Sequence, residues 1–140
     1  VEGPVSSPHR LVQPDGLPPG RGFSHGAIAE QGRTVWVAGE IAIDAEGNVV
    51  GADLVSQFDL ALANVVAVLE AAGAEPGHVV SMQIFVTSVP AYRRAAAALA
   101  PVYQRHMGRH YPPMALFGVT DLVEPDAVVE IMATAVVPAE

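Results

Sequence analysis

The sequence predicts an α+β sandwich, a mixed β-sheet with two helices packed on one face. Two segments carry apolar residues at three- and four-residue spacing, and several shorter ones run apolar or alternate at strand length. The two kinds interleave, so helices and strands have to share one core. At 140 residues the chain is a single domain long enough to bury one.

In chain order, residues 1–21 are rich in Pro, Gly and Ser and show no period, which predicts an extended N-terminal arm laid against a domain spanning 22–138. Phe23 to Glu30 and Thr34 to Ile43 read as strands joined at Gln31-Gly32, a hairpin-type turn. Ile41 to Val50 reads as a further extended run through Ala45-Glu46-Gly47-Asn48, a tight turn. Its acids are too few for a calcium loop. Asp53 to Ala72 is the clearest helix, with Phe58, Ala61, Leu62, Val65, Val68 and Leu69 on one stripe and Gly73 at the C-cap. His78 to Thr87 follows as a strand, Val80, Met82, Ile84 and Val86 alternating with Ser81, Gln83 and Phe85. Ala91 to Gly108 is the second helix, striped by Ala95, Leu99, Val102, Tyr103 and His106. Strands near Pro113 to Asp121 and Ala127 to Val137 complete the order ββ(β)αβαββ. Strands apolar on both sides exceed what two helices cover, so the far sheet face is expected to meet another subunit.

Composition excludes several functions. There is no run of the roughly 18 apolar residues a membrane span needs, and no basic-then-apolar start of secretory type, so a cytoplasmic protein without membrane partners is expected. No cysteine means no disulfide, thiol nucleophile or thiolate metal site. No lysine means no Schiff base on the protein and no P-loop. A formal charge of −8 argues against nucleic acid.

The stretch from Tyr111 to Ala135 carries the chemistry. It reads as two strands around a polar turn, with a single carboxylate, Glu130, inside the apolar second strand. A buried carboxylate costs several kcal/mol unless paired, hydrogen-bonded or protonated, so a strand that keeps one has a use for it.

The ordered set Gly22-Phe-Ser-His-Gly, Val37-Ala-Gly-Glu40, Gln57, Ala63-Asn64, Ala72-Gly73, Val79-Val80 and Ile84-Phe-Val86, closed by Tyr111-Pro-Pro and Val129-Glu130-Ile131, resembles the RidA/YjgF family of reactive-intermediate deaminases. The resemblance covers roughly Gly22 to Pro138. It implies a chorismate-mutase-like fold, a homotrimer with ligand sites in the clefts between subunits, and hydrolysis of short-lived imines and enamines without cofactor or metal. The family's substrate-gripping arginine falls at Met114, its early tyrosine at Phe23, its serine at Ala38 and its glutamine at Glu40, while the late glutamate is kept as Glu130. Met114 and Phe23 cannot hold a carboxylate, so the resemblance implies a substrate other than a simple amino-acid-derived one.

If the final strands pair as in that family, Met114, Leu116, Phe23 and Glu130 are expected to form a mostly apolar pocket with one acid, which would raise the carboxyl pKa and make Glu130 a general acid/base. Its other reading is a carboxylate satisfied by backbone amides at a subunit contact. Glu40 is either the partner carboxylate or a polar residue at a subunit seam. His25, on the face of Phe23, supplies a titratable group to the cleft or is a half-exposed strand histidine. Tyr111 faces the cleft or packs. His106 and His110 read as solvated histidines, since Gly108 separates them and no HExxH motif is present, and Arg93, Arg94, Arg105 and Arg109 as a solvated face with local ion pairs. The expected activity is a cofactor-free hydrolase or tautomerase of a labile small molecule. The alternatives are a non-catalytic binding or regulatory trimer, or a chaperone-like stress protein.

Overall fold

The computed structural model describes residues 7–140. Its strands are β1 (Arg10–Val12), β2 (Gly26–Ile28), β3 (Gly32–Glu40), β4 (Val79–Val86), β5 (Met114–Gly118) and β6 (Val129–Pro138), and its helices are α1 (Leu54–Ala71) and α2 (Val89–Met107). The main sheet has the order β3-β6-β4-β5, with β4 and β5 parallel and the other pairs antiparallel. Both helices pack on one face of this mixed sheet, and the predicted fold class holds.

The core follows from the two periodicities. Phe58, Ala61, Leu62, Val65 and Leu69 form the buried stripe of α1, and Leu99, Val102, Tyr103 and Met107 that of α2. They meet Met82, Ile84 and Val86 of β4 and Val129, Ile131, Ala133 and Ala135 of β6. Asp53 caps α1 by accepting the Ser56 amide. At the other end Gly73 takes φ +79°, its N–H reaching the Glu70 carbonyl and the Ala74 N–H that of Leu69, a complete Schellman motif. By length and composition α1 is apolar enough to cross a membrane, but its apolar stripe is spent on the sheet.

Four expectations need correction. The hairpin at Gln31-Gly32 does not form, because β2 pairs with β1, and β3 is bonded to β6 alone. The chain ahead of β2 is drawn instead to the start of β5, where Ser24 donates its amide to Pro112 O and its hydroxyl to Tyr111 O. The adjoining prolines offer carbonyls but no N–H groups, so only a donor from elsewhere satisfies them. The extended run after β3 is reduced to one bridge, Ile43 to Val49, around the expected turn, whose Glu46 and Asn48 amides are held by Asp44. In β4 it is Val79, not Val80, that is buried, since the pairing with β6 shifts register between Val79 and Ser81. Finally, the two histidines are not solvated. His106 pairs with Asp59 at 2.6 Å, next to the Arg105–Asp59 ion pair at 2.7 Å that links α2 to α1. His110 is buried, its Nε2 bonded to Val79 O, and burial holds its imidazole below the ordinary range.

The region read as the N-terminal arm contains β1 and the buried His9; residues 1–6 lie outside the described ones. His9 is clamped between β6 and the end of β2, its Nε2 bonded to Val136 O and its Nδ1 accepting the Glu30 amide.

Candidate functional site

Strand parity divides the predicted site residues between the two faces of the sheet. Met114 and Leu116 lie opposite Met82 and Ile84, on the helix side. Glu130 lies opposite Phe85, on the face the helices leave open. Within one chain Met114 and Glu130 therefore do not meet.

On the helix side, Met114 is the floor of a cleft between α2 and the sheet. Its largest part is a cavity of about 410 Å³ bounded by Met114, Ile84, Tyr103, Tyr111, Ala96 and Ala100. Its cause is legible in composition, because the alanine-rich middle of α2 puts methyl groups where larger side chains would fill the space. Tyr111 stacks on Tyr103 at 5.4 Å between ring centroids and accepts a hydrogen bond from Gln104 Nε2. Tyr103 donates to His110 O, and burial pushes its hydroxyl pKa far up, so it stays neutral. Phe23 and Leu116 border an adjoining hollow over Met114, and His25 borders a third beside Phe23. The His25 ring meets Phe23 edge-on at 5.3 Å, and its Nε2 is bonded to Pro18 O at 2.7 Å. Phe23, His25, Tyr111, Met114 and Leu116 thus come together. The residue that sequence reasoning missed is Arg21, which borders both the main cavity and the hollow over Met114. It ends the aperiodic arm, and its only sequence signal is its place between Gly20 and Gly22 just ahead of Phe23.

On the open side Glu130 lies against Gly39, and Glu40, set opposite Ile131 by the bulge, is near enough to feel the Glu130 charge. The register of β3 against β6 slips between Val37 and Glu40, a bulge at Ala38-Gly39, and Gly39 lies beside the Glu130 side chain. A Cβ on Gly39 would lie 1.9 Å from Glu130 Oε2, so the carboxylate occupies the space that only glycine leaves free. Burial, and after it the nearby Glu130 charge, hold the Glu40 carboxyl above its ordinary range. Among the described residues both ion pairs fall on Asp59, and none involves Glu130. Ala38 is exposed on the bulge and is not among the residues bounding the Met114 cleft. Around the acids the face is apolar. Phe85 stacks on Phe117 at 5.5 Å, Met132 is exposed, and Trp36 is 77% exposed. Among the described residues no group of three or more His, Asp or Glu side chains is placed to hold a metal ion.

The fold and these positions can be set against known proteins. The model of the family described as Endoribonuclease L-PSP matches residues 15–137. The chain belongs to this family, the Rid/YjgF/UK114 proteins. Among solved structures it is similar to the Rid-family protein YyfB of Yersinia pestis, itself of unknown function, at 35% identity and a TM-score of 0.83 over 92% of this chain and 98% of that one. It is similar to a Mycobacterium tuberculosis member of the YjgF/YER057c/UK114 family at 28% identity and a TM-score of 0.63, over 92% and 99% of the two chains. The RidA of an Antarctic Psychrobacter is 25% identical with a TM-score of 0.66, over 91% and 99%. No curated protein matches the chain. The recognised family thus stands, and this Rid-family chain carries Met114, Phe23 and Ala38 in its cleft and bulge.

Proposed function

We propose that this Rid-family protein is a cofactor-free hydrolase, or tautomerase, of an imine, enamine or related labile small molecule, acting in a cleft between subunits of a homotrimer. The observation that carries the reading is the acid pair. Glu130 lies over Gly39 on an open apolar face, and burial, with the Glu130 charge after it, raises the pKa of Glu40 nearby. Two carboxyl groups in unlike surroundings, one to accept a proton and one to donate it, are the equipment for adding water across C=N. Glu130 takes a proton from water as the water oxygen bonds to carbon, the C=N electron pair moves to nitrogen, and Glu40 supplies the proton there. Collapse of the carbinolamine then breaks the C–N bond and releases ammonia and the ketone. Without water, the same two groups move a proton between carbon and nitrogen and give a tautomerase.

The homotrimer supplies what one chain lacks. Glu130 and Met114 occupy opposite sheet faces in one chain, so the apolar cleft and the acid pair become one site when the open face of one subunit meets the neighbour. The endoribonuclease description attached to the family fits this chain poorly, because its net charge of −8 repels a phosphate backbone. A purely binding or regulatory trimer is the competing reading, favoured by the loss of polar groups at Met114, Phe23 and Ala38.

The test generates imines in situ with an amino-acid oxidase from neutral, aromatic and acidic amino acids and follows ketone formation. Acceleration is expected for bulky apolar imines and little for acidic ones. Every imine so made keeps its α-carboxylate, and Met114→Arg, which restores a group able to hold it, is expected to raise turnover most for the imines with small side chains. Absence of acceleration with every imine would support the binding trimer.

A further inference from the structure

Two amide side chains of α1 reach the segments that flank the acid pair. Asn64 donates through Nδ2 to Ile41 O at 2.9 Å and to Ile43 O at 3.1 Å, on the segment that leaves β3 directly after Glu40. Gln57, 2% exposed, accepts the Val128 amide at 2.9 Å and donates to Asp126 O at 2.9 Å, on the segment that enters β6 just ahead of Glu130. Its Nε2 also reaches Gly51 O at 3.1 Å. A primary amide brings two donors and an acceptor on one uncharged group, and Gln57 uses all three. The two residues are seven positions apart, two turns of helix, so they lie on one line of α1, about 10 Å apart along its axis. The anchored groups lie outside β3 and β6 themselves. Register matters at both places. A slip of one residue where β6 begins would turn Glu130 from the open face toward the helices. At β3 the bulge breaks the ladder just before Glu40, so whatever holds Ile41 and Ile43 also decides where Glu40 falls.

We propose that Gln57 and Asn64 are positioning residues for the acid pair: α1 holds the exit from β3 and the entry to β6 at a fixed separation, and thereby sets Glu40 against Glu130. The proposal rests on the reading of the two acids as the reacting groups and deepens it by naming what holds them. Both amides act through the backbone, since their hydrogen bonds go to main-chain carbonyls and one main-chain amide. All of these bonds are made within one chain, before any neighbour is added.

The test reads the acids directly, by carbon NMR titration of the glutamate carboxyl groups in the full chain as it assembles. Burial, and after it the Glu130 charge, raises the Glu40 pKa. Glu130→Gln should therefore lower the Glu40 midpoint, and the size of that drop reports how close the two acids stand. Asn64→Leu keeps the bulk and loses both donors, and Gln57→Met does the same for its site. In either background the drop is expected to shrink to about half or less, with a fall in kcat for imine hydrolysis. Asn64→Ser, which keeps one donor, should recover part of it. Gly73→Ala, which strains the end of α1 without touching either amide, should leave the drop at its wild-type size. A full drop in either amide variant would overturn the proposal and leave that amide a purely structural role, as would an equal shrinkage in Gly73→Ala. Asn64 is only partly buried, so its two variants decide the matter should Gln57→Met not fold. No drop in the wild-type background would overturn both this proposal and the acid pair. A drop that depends on Asn64, in a protein that turns over no imine, would overturn the hydrolase reading alone.

Discussion

Glu130 owes its position to a residue with no side chain. Its carboxylate fills the space where a Gly39 Cβ would stand, and that space exists because the β3 bulge brings Gly39 against β6. Gly39→Ala is expected to push the Glu130 side chain aside, cutting kcat by tenfold or more with little change in Tm, as paired turnover and melting measurements would show. Glu40 permits a test in pH. Its folded-state pKa is raised above the ordinary 4.5, so the folded chain holds the proton more tightly than the unfolded one just above that value. Stability therefore falls as pH rises from 4.5 through the raised pKa. Glu40→Gln is accordingly expected to melt at a higher temperature than wild type at pH 7 and to show no such gain at pH 4, in melting curves taken across that range. This proximity was not legible beforehand. Glu40 and Glu130 are far apart in sequence, and the bulge at Ala38-Gly39, which sets Glu40 opposite Ile131 and Gly39 against Glu130, is not marked by any local signal.

At the scale of elements, what local chemistry dictates was readable and what distant partners decide was not. Helix α1 carries its own signals, with Asp53 at the start, an unbroken apolar stripe, and Gly73 at the end. Gly73→Ala forces a Cβ into φ +79° and is expected to cost about 1–2 kcal/mol, read as a lowered denaturant midpoint with an unchanged slope. Strand β1 has three residues and exists only because β2 pairs with it, so no period marked it. The hairpin at Gln31-Gly32 had the right local chemistry, but the carbonyls at Tyr111 and Pro112 competed for the chain ahead of β2 and took it. The Met114 cleft lies between these cases. The alanines of α2 were visible, but their use, leaving room opposite Met114, depends on how α2 lies on the sheet.

At the scale of the whole molecule, the sheet is finished on one side only. The helices cover the face bearing Met82, Ile84 and Ile131, while Trp36, Met132 and Phe117 remain exposed on the other. Proteins of this size seldom leave such a face to water, which is the ground for proposing that the homotrimer forms through it. Sedimentation equilibrium should give three times the 14.5 kDa chain mass. Trp36→Lys, which puts a charge on that face at its β3 edge, is expected to shift the protein to monomer. If the acid pair and the apolar cleft are one site only in the assembly, imine hydrolysis should vanish with the trimer although the monomer stays folded.

The most direct test of the proposed chemistry is kcat/KM for imine hydrolysis in wild type and Glu130→Gln, both verified to have the same oligomeric state and ligand affinity. Glu130→Gln keeps the shape and removes the base. The expected result is a fall of about 10²–10⁴-fold, the usual contribution of a positioned general base, with ligand affinity unchanged. Equal rates in the two proteins would contradict the assignment of Glu130 and leave the apolar cleft as a binding site alone.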